Sequence, residues 1–374
     1  MPSNSMKSST PPSSNAPAYP PPGSSPSSSV APPVYPIESS PSPSPSSSVP
    51  SPTDANSPSP SLAPPSGLRV GYYGYSCPNA ESIVRAAVKS AVDANPGTGA
   101  GLIRLFFHDC FVQGCDASVL LNTTTTGQSP TTERQSPPNL TLRGFEAIDA
   151  AKAALEAACP RTVSCADAVA FAARDATFFL SAGRVDFGVP AGRLDGRVSR
   201  ADEALANLPP PTAGVQALTD MFAAKGLDAD DMVTLSGAHT VGRAHCSSFS
   251  GRIPPNNVSS SSDAMNPTLA ASLGQQCNSS SNGGGDPAVA QDLVTPNKLD
   301  SQYYWNVINH DVLFASDAAL LTSNRTAAMV SDNAFTPGLW EAKFKRAMVK
   351  MGLVGVKTTS AEGEIRERCW MTNN

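Results

Sequence analysis

From Gly67 onward, apolar residues recur three to four positions apart, a spacing that predicts a domain built mainly of helices. Ala80–Ala94 places Ile83, Val84, Ala87, Val88 and Ala91 on one face and stops at Asn95-Pro96-Gly97. Ala100–Asp109 continues with Leu102, Leu105 and Phe106 apolar. Gly144–Ala158 spaces Phe145, Ile148, Ala151 and Leu155 in the same way before Cys159-Pro160. Helices are also predicted over Ala166–Leu180, Gly214–Lys225, Asp228–Leu235 and Pro337–Met351. No sustained alternation marks a strand, and the Gly/Ser-rich stretch Asn278–Gly285 predicts a surface loop. The expected fold class is mainly α.

Residues 1–66 break this pattern, with 20 of the 36 prolines, 23 serines and only Lys7, Glu38 and Asp54 charged. With almost no large apolar side chains to offset chain entropy, this segment predicts a disordered Pro/Ser-rich extension. Runs such as Ser40-Pro41-Ser42-Pro43-Ser44-Pro45 favour polyproline-like conformations, which suit a spacer or a glycosylated, wall-associating stalk. The folded domain is expected over residues 67–374. A formal net charge of −5 argues against nucleic acid or anionic membrane as the main partner. No apolar run approaches the roughly 18–20 residues that span a bilayer. The nearest, Ala166 to Ala182, is broken by Asp167, Arg174 and Asp175.

Eight cysteines, Cys77, Cys110, Cys115, Cys159, Cys165, Cys246, Cys277 and Cys369, suit four disulfides and an oxidising compartment, in pairings that the count leaves open. Asn-x-Ser/Thr sequons begin at Asn122, Asn139, Asn257, Asn278 and Asn324. No secretory signal is visible at the start of the chain, so an expectation of secretion rests on the cysteines and on family likeness.

Arg104-Leu105-Phe106-Phe107-His108-Asp109-Cys110 carries the first candidate chemistry. Arg104 and His108, four apart, share a helix face. A cation and an imidazole aimed into one cavity suit a reaction that moves a proton and stabilises a developing anion. Phe107 beside them would limit access. Taken alone, such a pair is more often a surface or ion-pair feature. Asp109, Asp116 and Ser118, with the carbonyls of Val112 and Gly114, offer a hard oxygen shell of the calcium type, although acidic loop residues are usually just solvated. Cys110 and Cys115 are near enough to bridge locally, and zinc on His108 and both thiols is the alternative.

The run Leu102-Ile103-Arg104-Leu105-Phe106-Phe107-His108-Asp109-Cys110-Phe111-Val112-Gln113-Gly114-Cys115-Asp116-Ala117-Ser118-Val119-Leu120-Leu121 closely resembles the distal haem block of the plant secretory (class III) peroxidases. Leu235-Ser236-Gly237-Ala238-His239-Thr240-Val241-Gly242-Arg243 resembles their proximal block. Further matches are Tyr75-Ser76-Cys77-Pro78, Val163-Ser164-Cys165-Ala166-Asp167, Ala172-Ala173-Arg174-Asp175, Tyr303-Tyr304 and Gly363-Glu364-Ile365-Arg366-Glu367-Arg368-Cys369. The resemblance covers about residues 67–371.

It implies a two-lobed helical haem peroxidase fold, with one haem b per chain between distal and proximal halves and two calcium ions per chain. By the same resemblance His108 takes a proton from hydrogen peroxide and returns it to the departing oxygen, Arg104 stabilises the charge, and Asn139 accepts a hydrogen bond from the other histidine nitrogen. Asn139 heads a sequon, so burial in that role would leave it unglycosylated. Phe107 lies against the cofactor, His239 binds the iron, and Asp317 accepts its second N–H. His245 and His310 are expected to be surface or structural. Asp109, Val112, Gly114, Asp116 and Ser118 form the first calcium set. Thr240, Asp292, Thr295 and Asp300 form the second, with Lys298 able to offer only its carbonyl. Pro209 lines the opening for reducing substrates. The implied disulfides are Cys77–Cys159, Cys110–Cys115, Cys165–Cys369 and Cys246–Cys277.

The sequence departs from the family at Ala182-Gly183-Arg184 and at Gly192-Arg193-Leu194-Asp195, where a Gly-Gly-Pro turn and a second arginine are frequent. The implied function is reduction of hydrogen peroxide coupled to one-electron oxidation of small phenolic donors. The implied protein is a secreted or wall-located monomer, its extension reaching wall polymers. A wall-anchored binding protein that keeps the fold without turnover is a rival reading. A secreted calcium or zinc protein without haem leaves Arg104, Asn139, His239 and Asp317 unexplained.

Overall fold

In the computed structural model, residues 67–122, 131–256, 264–279 and 285–373 are described. The extension of residues 1–66 and the sequon at Asn257 lie outside them. The described residues form twelve α-helices: α1 Ala80–Ala94, α2 Pro96–Val112, α3 Phe145–Ala158, α4 Cys165–Leu180, α5 Ala201–Asn207, α6 Val215–Ala223, α7 Ala229–Ser236, α8 Pro267–Ser279, α9 Gln302–Ile308, α10 Ala315–Ala318, α11 Asn324–Phe335 and α12 Leu339–Met351.

The first helix buries Ala80, Val84, Val88 and Val92, one residue per turn, against the core. Asn95-Pro96-Gly97 both ends α1 and starts α2. The Asn95 side chain accepts from the Gly97 N–H at 2.9 Å, and Pro96 takes the first helical position, where no donor is needed. The second helix therefore begins four residues before the expected Ala100. Ser164 opens α4 by accepting from the Asp167 N–H at 3.1 Å. Helices α1 to α4 pack on one another, and α7, α9, α11 and α12 form a second group around buried Tyr304, Trp340 and Phe344.

A short antiparallel pair, β1 Arg243–His245 and β2 Ala288–Ala290, runs in register from Arg243 opposite Ala290 to His245 opposite Ala288. Three residues per strand are too few for alternation to show in sequence. The pairing matters because β1 begins three residues after Thr240 and β2 ends two residues before Asp292, so it brings Asp292 back toward Thr240. The expected loop Asn278–Gly285 is helical through Ser279, and residues 280–284 lie outside the described residues.

Four disulfides join Cys77 to Cys159, Cys110 to Cys115, Cys165 to Cys369 and Cys246 to Cys277, and no described cysteine is free. The first closes a ring that contains Arg104, His108 and Asn139. The third closes a ring that contains His239, Tyr303 and Asp317. With both sulfurs of Cys110 and Cys115 in a bridge, the zinc alternative loses its thiolates.

Both departures from the family pattern have structural readings. Ala182 and Gly183 take left-handed backbone after α4. Arg193 and Asp195 are buried on either side of half-buried Leu194. Arg193 donates to Asp167 at 2.7 Å and to the Gly352 carbonyl. Asp195 accepts from the N–H groups of Cys165 and Ala166 at the start of α4 and from that of Arg366. Leucine between them breaks neither set of bonds.

Candidate active site

One turn of α2 separates Arg104 from His108, and Arg104 Nε donates to His108 Nε2 at 3.1 Å. The same guanidinium donates to Thr141 Oγ1 at 2.9 Å and to the Pro138 carbonyl at 2.8 Å. Asn139 closes a short turn at Pro137–Asn139 and is 2% exposed. Its Nδ2 donates to the Glu133 carbonyl at 2.8 Å, which turns its Oδ1 toward His108 Nδ1 at 2.6 Å. An amide oxygen only accepts, so Nδ1 carries the ring proton and Nε2 presents a lone pair. Burial, and then the charge of Arg104, push the His108 pKa down to about 3, so the ring is neutral at physiological pH. Burial, and then Arg143, push Arg104 down to about 10, which leaves it a cation. The half-buried Phe107 ring lies 4.4 Å from Phe111 and 5.3 Å from His108, centroid to centroid.

A glycan on Asn139 would have to replace a buried amide with both functions bonded. In a secretory host, peptide mapping by mass spectrometry is expected to find Asn139 unmodified and exposed Asn324 glycosylated. Occupancy at Asn139 would contradict its burial.

His239 stands on a tight turn, Gly237–Thr240, directly after α7. Gly237 is required there, because a Cβ would sit 2.5 Å from Trp340 Nε1 and 2.7 Å from Tyr304 Oη. His239 Nδ1 lies 2.8 Å from Asp317 Oδ1, and Tyr303 Oη donates to that same oxygen at 2.8 Å. Asp317 thus holds the back of the ring and leaves Nε2 for a ligand. The His239 side chain is 37% exposed, so its free face is open while Asp317 is buried. Phe314 packs edge-on at 5.2 Å. An imidazole so held fits the role of a ligand to haem iron. His245 bonds the Asp286 carbonyl, and His310 sits in the turn after α9, both away from this arrangement.

The two proposed cation clusters adjoin these histidines in sequence. At the first, Asp109 Oδ2 accepts from the Ala117 N–H, while Asp109 Oδ1 is buried without a partner. Asp116 Oδ1 accepts from the Ser118 N–H, and the Lys357 ammonium contacts Asp116 Oδ2. Ser118 lies beside Glu133, yet Ser118 Oγ and both Glu133 carboxylate oxygens close no hydrogen bond of ordinary geometry. Burial, and then Asp116, push both Asp109 and Glu133 well above the usual carboxylate range. Buried carboxylates with unsatisfied oxygens fit a hard cation. Gly114 turns with a positive φ against Gly355, and Val112 ends α2. At the second cluster, Thr240 Oγ1 lies 3.0 Å from Asp292 Oδ2 and 3.3 Å from Asp300 Oδ1, and Thr295 Oγ1 reaches the same two oxygens at 3.1 and 3.2 Å. The Lys298 carbonyl faces Thr240, while its ammonium pairs with Asp300 at 3.1 Å. Among the described residues no three His, Cys, Asp or Glu side chains could cage a metal by themselves, so hydroxyls and carbonyls would complete each set.

Sequence reasoning passed over three participants. Glu133 was visible in the segment leading to Asn139 as a lone acid. Thr141 and Tyr303 carried no signal of their partners, because both act through contacts more than a dozen residues away in sequence. Pro209 follows α5 and is half-buried.

A helical domain that offers a neutral imidazole base beside a cation, and separately a carboxylate-backed imidazole, has the parts of a haem peroxidase. The Peroxidase family model matches residues 84–335. The chain is 55% identical over 310 residues to "Peroxidase 2" of Zea mays, covering 82% of this chain and 90% of that one. It is 50% identical to "Peroxidase 5" of Vitis vinifera and 44% identical to "Peroxidase 3" of Arabidopsis thaliana, each covering 82% of this chain and 92% of the relative. The chain belongs to the peroxidase family, on its plant class III branch. It is an enzyme that reduces hydrogen peroxide and oxidises small donors, with haem as the cofactor the family implies. Among the described residues no helix is long and apolar enough to cross a membrane.

Proposed function

We propose that hydrogen peroxide is handled by Arg104, His108 and Asn139, that His239 backed by Asp317 holds the iron of one haem b, and that the donors are small phenols oxidised one electron at a time. The observation that carries this reading is the polarity of the distal chain. The Glu133 carbonyl fixes Asn139, Asn139 fixes the Nδ1 proton of His108, and Nε2 keeps a lone pair that accepts from the Arg104 cation until peroxide takes that donor's place.

His108 Nε2 accepts a proton from one peroxide oxygen and delivers it to the other as that oxygen departs. Arg104 stabilises the negative charge that builds on the departing oxygen. Asn139 keeps the ring in the tautomer that can accept, and Phe107 helps keep water from the cavity. Haem, when bound, supplies the iron centre that takes two oxidising equivalents from peroxide and passes them on singly. On the iron side, His239 anchors and Asp317 raises its electron donation.

Calcium at both clusters belongs to the same proposal, supported by the unsatisfied oxygens around Asp109 and by the four clustered side-chain oxygens of Thr240, Asp292, Thr295 and Asp300. Secretion is proposed from the four disulfides. The role of residues 1–66 toward wall polymers rests on composition.

The test is an ultraviolet–visible spectrum of the haem-reconstituted chain before and after peroxide. The expected result is a Soret band that shifts with peroxide and returns when a simple phenol is added. A Soret band indifferent to peroxide would overturn the distal assignment while keeping His239. A folded, disulfide-bonded sample without a Soret band would reject haem binding.

A further inference from the structure

We infer that Tyr303 is a positioning residue, whose phenol sets how strongly Asp317 pulls on His239 and thereby tunes electron donation by the proximal imidazole. The inference rests on reading His239 as the iron ligand.

Its basis is a shared acceptor. One oxygen, Asp317 Oδ1, meets His239 Nδ1 and the Tyr303 hydroxyl, each at 2.8 Å. Tyr303 is 1% and Asp317 3% exposed, so water does not compete for that oxygen. Burial, and then the Asp317 charge, push the phenol well above its ordinary pKa, so it stays a donor. The placement is held from several sides. Helix α9 packs against both the Gly237–Thr240 turn and α11. Neighbouring Tyr304 donates to the carbonyls of Val233 and Thr234 at the end of α7. The Tyr303 ring meets His239 edge-on at 6.2 Å.

A carboxylate oxygen that accepts from two donors is less basic toward each. With the phenol in place, the Nδ1 proton of His239 is drawn less far toward Asp317, and the ring keeps less imidazolate character. An axial imidazole of that kind donates less to the iron. The pair Asp317 and Tyr303 therefore acts as a graded setting, with the carboxylate strengthening the ligand and the phenol moderating it.

The test uses the haem-loaded enzyme and two readouts: the iron–histidine stretching band of the ferrous form by resonance Raman, and the ferric/ferrous midpoint potential. Tyr303→Phe keeps the ring and removes the donor, so the band is expected to move up and the potential down. A site-specific fluorotyrosine at position 303, a more acidic donor, is expected to shift both in the opposite sense. A packing role alone would not give shifts of opposite sign from two rings of nearly the same shape. An unmoved band and potential in both variants would overturn the inference. If Tyr303→Phe does not fold, the fluorotyrosine enzyme decides alone, with an opposite shift supporting the inference and no shift overturning it. If the parent enzyme shows no iron–histidine band, the reading of His239 fails and the inference falls with it.

Discussion

Replacing His108 with leucine is expected to leave the haem bound and to slow the reaction with hydrogen peroxide by roughly 10²–10⁴-fold, the range typical of a lost general acid–base group. Leucine fills much of the volume but offers no lone pair, and Arg104 alone cannot accept a proton. The parent enzyme supplies a second check through pH. The competent form of His108 is neutral, and burial holds its pKa near 3. The rate constant with peroxide is therefore expected to show no inflection near the ordinary imidazole value of about 6.5, falling on the acid side as pH drops toward 3 and on the alkaline side as Arg104 loses its proton at about 10. Stopped-flow mixing measures both. An unchanged rate constant in His108→Leu would remove His108 from the mechanism, and an inflection near 6.5 would show that the ring is wetter than its 5% exposure indicates.

Emptying one calcium site is expected to lower the melting temperature by about 6–16 °C. A site saturated at 100 to 1,000 times its Kd contributes about 3–4 kcal/mol, and in large domains each kcal/mol moves Tm by about 2–4 °C. Here the loss is sharpened because Asp109, Asp116 and Glu133 are buried together, with Lys357 the cation that touches the group at Asp116. Differential scanning calorimetry before and after chelation, with metal content checked by atomic absorption, measures the effect. Equal melting temperatures for a loaded and a verified calcium-free sample would remove the cations from the account.

What the sequence disclosed follows from how local each signal is. Helix α1 was legible to the residue because a valine or alanine per turn meets the core and Asn-Pro-Gly marks its end. Helices α3, α4, α7 and α12 were placed within two residues for the same reason. Helix α11 was not seen. Its apolar positions Met329 and Val330 are sparse among Asn324, Arg325, Ser331, Asp332 and Asn333, so burial against α7, α9 and α12 makes the helix rather than any periodicity of its own. Helices α5, α9 and α10, each seven residues or fewer, are too short for a period to register. In the site, Arg104 and His108 could be paired from spacing alone because one helix carries both. Asn139 and Asp317 lie 31 and 78 residues from their histidines, so only the family resemblance placed them beside a partner. Neither spacing nor resemblance exposed the second donor on Asp317, since a buried tyrosine reads in sequence as core.

The two long disulfides also make the molecule divisible. The Cys77–Cys159 ring and the Cys165–Cys369 ring are separated by residues 160–164, where Pro160 and Arg161 lie exposed. The two shorter bridges each fall inside one ring. A single cut at Pro160-Arg161 would therefore yield two macrocycles with no covalent link between them. One would carry the groups assigned to peroxide and the other those assigned to iron, held together by α4 against α1, α2 and α3. Split there, the enzyme becomes a complementation pair whose turnover reports whether its halves have met.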